Sequence, residues 1–450
     1  MTMTIRENLD TRPMAPYQCM VVALCFLINM MDGFDVLVMA FVAAPVSTEW
    51  SLNGAELGYL LSAGLVGMAI GSLFVAPWAD VVGRRPLIIL SVSIAGTGMI
   101  CSSFASSPEM LGVLRLFTGV GIGGILASSY VAAGEYSSKR WRGLSISLQS
   151  TAYALGATIG GTVAAHIIPD LGWRSVFLYG GIVTLATVPV MVMLFPESID
   201  FLITRRPKNS LQRINRLAKK MGIPVLTKLP GVTQVSKENS LGSIRRLFSP
   251  ALLRSTLLIW AAFFLVMFGF YFVMSWTPRL LVSAGLTTQQ GITGGILLNI
   301  GGIFGTALVG LLAARFRLSK VLTAYMIITA VLLAVFIYST GNVTIALGIV
   351  LLIGIFLNGC IAGVYALTPG IYGAAERVTG LGWGIGTGRV GAILSPLVAG
   401  VLIDTQWAPA DLYQLYGAVF VLAALAIALL HKTHRNAIQP VLAESPAQGA

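Results

Sequence analysis

Residues 173–220 read WRSVFLYGGIVTLATVPVMVMLFPESIDFLITRRPKNSLQRINRLAKK. The string has two parts of opposite character. Residues 173–195 are apolar or small after Arg174, whereas 196–220 carry Arg205, Arg206, Lys208, Arg213, Arg216, Lys219 and Lys220. A bilayer core of roughly 30 Å needs about 20 mostly apolar residues per helix. The first part therefore reads as a membrane span and the second as chain in water. Working outward, apolar stretches recur on both sides. Five precede the span, at about 18–44, 54–78, 87–106, 109–131 and 143–166. Six follow the polar part, at about 253–276, 289–313, 319–338, 342–369, 378–402 and 411–430. The expected fold is an all-α membrane protein with twelve transmembrane helices in two six-helix halves. The expected divisions are a cytoplasmic tail 1–17, a bundle 18–195, a basic linker 196–252, a second bundle 253–430 and a tail 431–450. Within the linker, Leu211 to Met221 has the pattern of a basic amphipathic helix on the inner leaflet, or of a solvated linker.

Composition agrees with this reading. Of 450 residues, 56% are hydrophobic and 10% charged, which excludes an ordinary soluble enzyme and a disordered chain. The net charge of +12 comes from 29 Lys and Arg against 17 Asp and Glu. With the N-terminus inside, inner loops and tails hold 25 of those 29 basic residues and outer loops hold two, Arg174 and Arg279. That is the positive-inside bias. The surplus reports topology, so the expected partner is the bilayer and not nucleic acid. The first span is long and carries acids, so no cleavable signal is expected. Cys19, Cys25, Cys101 and Cys360 show neither a disulfide framework nor metal-ligand spacing.

After the second span the chain reads Ala76-Pro-Trp-Ala-Asp80-Val-Val-Gly83-Arg84-Arg85. This resembles the inner-loop signature G-x-x-x-D-[RK]-x-G-R-[RK] of the major facilitator superfamily, with Ala76 and Val81 as departures. Arg115-Leu-Phe-Thr-Gly119-Val-Gly121-Ile-Gly123 is similar to the R-x-x-x-G-x-G-x-G string of span four. Pro196-Glu197-Ser198 with Phe201-Leu202 is similar to the ending of span six. Asp32-Gly33-Phe34-Asp35 resembles the D-G-[FY]-D signature of the aromatic acid/proton symporter family. The strings Glu376-Arg377-x-x-Gly380-x-Gly382-Trp383 and Gly386-x-Gly388-Arg389-x-Gly391-Ala392 point the same way. The resemblance covers essentially all twelve spans. It implies a proton-coupled importer of a small organic acid, most of all a benzoate-type carboxylate, working by alternating access. It also implies a bacterial-type inner membrane, both termini cytoplasmic, the proton as coupling ion, no other cofactor, and function as a monomer. Asp80, Gly83, Arg84, Arg85, Glu135 and Arg142, with Glu376 and Arg377 at the matching place in the second half, would form the inner gate.

A charge at mid-bilayer costs at least about 2.5–3.5 kcal/mol, so it marks function by default. Four stand out: Asp32 and Asp35 in span one, Arg115 in span four and Arg389 in span eleven. Asp32 and Asp35 are spaced i, i+3 and share a helix face. Two such carboxylates in low dielectric resist double ionisation, which suits taking up and releasing a proton as a unit. Arg115 either pairs with Asp35 or holds the bundle. Arg389 is the candidate for the substrate carboxylate, because guanidinium meets carboxylate bidentately and stays charged. Asn29, Tyr153, Tyr271, Trp276, Asn299, Asn358, Tyr365 and Trp383 are candidate cavity amides and rings, with Trp276 alternatively an interfacial anchor. The rivals are a symporter for non-aromatic acids such as muconate, a sugar porter, and a non-transporting membrane sensor. No catalytic triad or phosphate loop is present, so an enzyme is not expected.

Overall fold

The structure, a computed structural model, describes residues 5–229, 246–250, 252–372 and 376–443. Lys237 and Arg245 of the linker, and the end of the tail after Ala443, lie outside the described residues. Among the described residues, twelve helices are long and apolar enough to cross a membrane. Contacts divide the chain into two compact units. One holds Met1–Leu52 with Tyr59–Val235, the other Asn53–Gly58 with Ser236–Ala450.

The first unit opens with α1 (Ile5–Thr11) and α2 (Pro16–Trp50). Next, α3 (Gly54–Ile70) passes through a π turn at Gly71–Val75 and a 3-10 turn at Ala76–Trp78 into α4 (Ala79–Val82). Four long helices follow: α5 (Arg84–Ser103), α6 (Pro108–Tyr136), α7 (Arg142–Leu171) and α8 (Trp173–Leu194). Two short ones, α9 (Ile199–Arg205) and α10 (Ser210–Lys220), close the unit. Starts are chemically marked: Ser107 accepts from the Met110 N–H ahead of Pro108. The helices α3 and α6 cross through small residues. A Cβ on Gly67 would collide with the Leu116 carbonyl, and one on Gly71 with that of Val120. Such contacts replace the hydrophobic drive that lipid does not provide.

At the end of this bundle that carries the N-terminus, α1, α9 and α10 gather. Leu9, Ile199, Leu202, Ile214, Leu217 and Ala218 share one apolar cluster with Val21 and Leu24 of α2. The amphipathic helix expected at 211–221 forms, but its apolar face is spent on protein. The stretch read as the N-terminal tail contains α1, and Arg12 just after it donates to the Gly222 carbonyl at 2.7 Å.

The second unit holds α11 (Leu253–Ser283), α12 (Thr288–Arg315), α13 (Leu318–Phe336), α14 (Val343–Leu367), α15 (Arg377–Asp404) and α16 (Pro409–Ala443). Thr287 and Gln290 form a capping box ahead of α12. α16 runs past the expected boundary at 430. A stack of rings ties α11 to α16, with Phe272 and Tyr416 at 3.8 Å. Trp276 is 2% exposed and donates to the Pro396 carbonyl at 3.3 Å. It is a core residue of this unit and not an interfacial anchor.

Candidate functional site

The Asp32-Gly33-Phe34-Asp35 string builds the first unit's site. Gly33 is where α2 meets α7: a Cβ there would collide with the Tyr153 main chain. The Phe34 ring lies against Gly160 of α7 and Gly180 of α8. Gly33 and Phe34 thus fix α2 among its neighbours, and both flanking acids are buried, each 3% exposed. Arg115 comes from α6 to meet the second acid. Its Nη1 donates to Asp35 Oδ1 at 2.7 Å and its Nη2 to the Asp35 main-chain carbonyl at 2.7 Å. The guanidinium also faces the Phe177 ring at 5.7 Å. Of the two arrangements open for Arg115 in the sequence, the partnership with Asp35 is formed.

Asn29 is fully buried. Its amide donates to Gln149 Oε1 at 2.9 Å, to Ser129 Oγ at 3.0 Å and to the Cys25 carbonyl at 2.8 Å. It links α2, α6 and α7. Ser129 and Gln149 were not singled out in the sequence, although a Gln in an apolar stretch is a signal.

A second cluster forms where α5 begins. Gly83 has φ +110, a backbone shape that favours glycine. A Cβ there would sit 2.5 Å from Glu197 Oε2. The turn lets the Arg85 N–H donate to Glu197 Oε1 at 3.1 Å. Arg84 pairs with Glu135 and donates to Ser198 Oγ at 3.2 Å. Ser198 in turn donates to Glu135 Oε2 at 2.7 Å. Asp80 is mostly exposed and reaches Arg84 only at 3.8 Å. Arg142 pairs with Asp10 of α1 and donates to the Gly134 carbonyl at 3.2 Å. The Glu197-Ser198 dipeptide, read earlier only as a motif, therefore supplies two ligands of this cluster, and Asp10 a third.

In the second unit, Arg389 is half-buried on α15. Tyr271 is half-buried on α11 beside Phe270. Asn299 and Asn358 donate to carbonyls one turn back on their own helices, Gly295 at 2.9 Å and Gly354 at 3.0 Å. The Asn358 amide lies over Gly302, joining α12 to α14. The Tyr365 ring meets Phe263 edge-on. Trp383 is exposed on one side and stacked on Trp260. Glu376 pairs with Arg246 at 3.5 Å, and Arg377 is exposed at the start of α15. Among the described residues, no three His, Cys, Asp or Glu side chains could hold a metal ion.

The family model of the Major Facilitator Superfamily matches residues 22–351. The chain belongs to the Major Facilitator Superfamily. This facilitator is 34% identical to a gallate transporter of Pseudomonas putida over 94% of each chain. It is 30% identical to the 4-hydroxybenzoate transporter PcaK of Pseudomonas aeruginosa, again over 94% of each. It is 29% identical to the 3-(3-hydroxy-phenyl)propionate transporter of Escherichia coli, over 93% of this chain and 95% of that one. The partially occluded inward-open xylose transporter XylE of E. coli superposes with TM-score 0.71 at 18% identity, covering 91% of this facilitator and 96% of XylE. That likeness concerns the fold. The facilitator is accordingly a transporter and not an enzyme.

Proposed function

We propose that this facilitator imports a small aromatic carboxylate together with protons, by alternating access. The observation that carries the proposal is the buried acid pair Asp32 and Asp35 on one face of α2, with Arg115 clamped on the second. Buried ion pairs add little stability compared with apolar packing, so acids kept in a bundle core point to work on a charge. The coupling proton binds the pair. The substrate carboxylate binds Arg389, whose fixed charge and planar fork suit it. Ring contacts from aromatic side chains of the second unit then favour a flat substrate. Relatives named for gallate, 4-hydroxybenzoate and hydroxyphenylpropionate support the aromatic class. Arg84, Glu135, Glu197 and Ser198 serve as the inner gate. The proton is the coupling ion, one chain suffices, and both termini face the cytoplasm.

The test is uptake into proteoliposomes carrying a pH dye. Labelled gallate and 4-hydroxybenzoate are compared with labelled muconate, in the parent protein and in Asp32→Asn, Asp35→Asn and Arg389→Ala. Gradient-driven uptake of the aromatic acids is expected, lost in the acid variants and weakened in KM for Arg389→Ala. Uptake indifferent to the gradient overturns the symport reading. Preference for muconate overturns the aromatic one.

A further inference from the structure

Asp35 gives one carboxylate oxygen to Arg115. The other, Oδ2, is buried and has no hydrogen-bond partner among the described residues. The same holds for Thr184 Oγ1 on α8, in a side chain that is 4% exposed. Both residues line one small cavity inside the first unit, together with Asp32 and Thr187. A helical Thr usually satisfies itself on a carbonyl of the preceding turn. Thr187 does so, donating to the Thr184 carbonyl at 2.7 Å. Thr184 does not. The rest of the wall is apolar, from residues such as Ile28, Val92 and Ile125, so it cannot satisfy either atom. Buried carboxylate and hydroxyl oxygens are nearly always paired, with protein or with ordered water. The cavity has room for about one water molecule, and Asp32, Asp35, Thr184 and Thr187 are the polar residues that line it.

We propose that this cavity is a water site, where one water accepts from Thr184 Oγ1 and donates to Asp35 Oδ2, and that Thr184 is thereby a positioning residue for the coupling proton. The inference rests on the symport reading above. The second hydrogen of the water turns toward Asp32. When the acid pair takes up a proton, that proton sits on a carboxyl oxygen. The water then rotates to accept from it, exchanging the hydrogen bond it donated for one it accepts, with both of its O–H bonds intact. The titratable groups facing this site are few. α2 brings Asp32 and Asp35, and α6 brings Arg115, held on Asp35, and also Tyr130, whose hydroxyl pairs with Ser150 Oγ at 3.2 Å. α5 brings Val92, Ala95 and Met99, and α8 brings Thr184 and Thr187, none of which titrates. α7 meets α2 through the Tyr153 main chain at Gly33.

Thr184→Val keeps the shape and removes the hydroxyl, whereas Thr184→Ser keeps the hydroxyl. Uptake is measured against external pH, with KM for the aromatic acid taken at saturating proton concentration. In Thr184→Val the half-maximal pH is expected to rise by about half a unit, a roughly threefold change in proton affinity, because a carboxylate that loses a donor holds its proton more tightly. KM at saturating protons stays unchanged, and Thr184→Ser keeps the parent profile. A gradient-driven parent whose pH profile is copied by Thr184→Val overturns the water site alone. A parent that ignores the gradient overturns the symport reading instead. A second measurement needs no variant. Infrared difference spectra of the parent between high and low pH, in ordinary and oxygen-18 water, are expected to show an internal water O–H band that shifts with the isotope. Absence of that band overturns the inference.

Discussion

Arg115 holds Asp35 at two points, the carboxylate Oδ1 and the main-chain carbonyl, each at 2.7 Å. The double grip does more than neutralise a charge. It ties the side chain of one helix to the backbone of another, which sets how α2 lies on α6. Arg115→Ala leaves a buried carboxylate without its cation and is expected to cost about 3–5 kcal/mol of stability. Arg115→Lys, a point charge on a flexible stem, cannot serve both oxygens in one plane and falls between. The paired change Asp35→Asn with Arg115→Gln is expected to be milder than Arg115→Ala, since neither charge is then stranded. Thermal unfolding of the detergent-solubilised protein ranks the variants. Equal midpoints for Arg115→Ala and the parent would refute the structural half of the role.

Gly33 makes a prediction about packing that its acidic neighbours obscure. The Tyr153 main chain occupies the space a Cβ would need, and a backbone cannot swing aside as a side chain can. Gly33→Ala should therefore push α2 from α7, costing about 1–3 kcal/mol by overpacking, and displace both acids with it. Gly382→Ala is the control, because a Cβ there meets nothing within 4 Å. Purified yield and unfolding midpoint should fall for the first and hold for the second.

The twelve spans were legible because lipid makes each of them declare itself by length and apolarity. Their ends were less so. α2 reaches Trp50, past the polar residues after 44, because Glu49 is anchored by the Trp173 indole at 2.6 Å and by Arg174 at 2.9 Å. Pro45 sits inside that helix. The i, i+3 spacing put Asp32 and Asp35 on one face, and the structure keeps it. The sequence left Arg115, 80 residues away, as a partner for Asp35 or a brace for the bundle, and the structure forms the pair. What it did not supply was Ser198 as a partner for Glu135, 63 residues apart. Apolar periodicity in a span does not distinguish a lipid face from a protein face, so Trp276 read as a cavity ring or an interfacial anchor, although it is packed in the core. The docked α1 was hidden for a related reason. Its buried apolar anchor is Leu9, too little to mark a helix without the surface it packs on.

The cluster at the start of α5 separates two acids, Asp80 and Glu135, that the sequence groups together at the inner gate. Asp80 is mostly exposed and only 3.8 Å from Arg84, and an exposed pair of this kind contributes about 0–1 kcal/mol. Glu135 is buried, with Arg84 and Ser198 both on its carboxylate. Glu135→Ala is expected to destabilise by more than about 2 kcal/mol, because Arg84 loses its buried counter-ion, while Asp80→Ala stays within about 1 kcal/mol of the parent. Unfolding midpoints compare them directly. If Asp80→Ala proved the worse of the two, this arrangement would not be the one that stabilises the protein at rest.

Asn29 lies close to the acid pair, and its amide reads from the sequence as a substrate ligand. The bundle spends that amide elsewhere, on Gln149, Ser129 and the Cys25 carbonyl, with none of the side chain exposed. Asn29→Ala strands the Gln149 oxygen in the core, and an unmet buried acceptor costs about 1–3 kcal/mol. Asn29→Asp is worse, because it removes the donor and places a carboxylate against the Gln149 oxygen. Stability should fall in both variants. KM for the aromatic acid should stay near the parent value in whatever fraction of Asn29→Ala remains folded, since nothing of the side chain is open to a ligand. Uptake assays normalised to folded protein decide the point. A KM raised tenfold with an unchanged unfolding midpoint would return Asn29 to the substrate site.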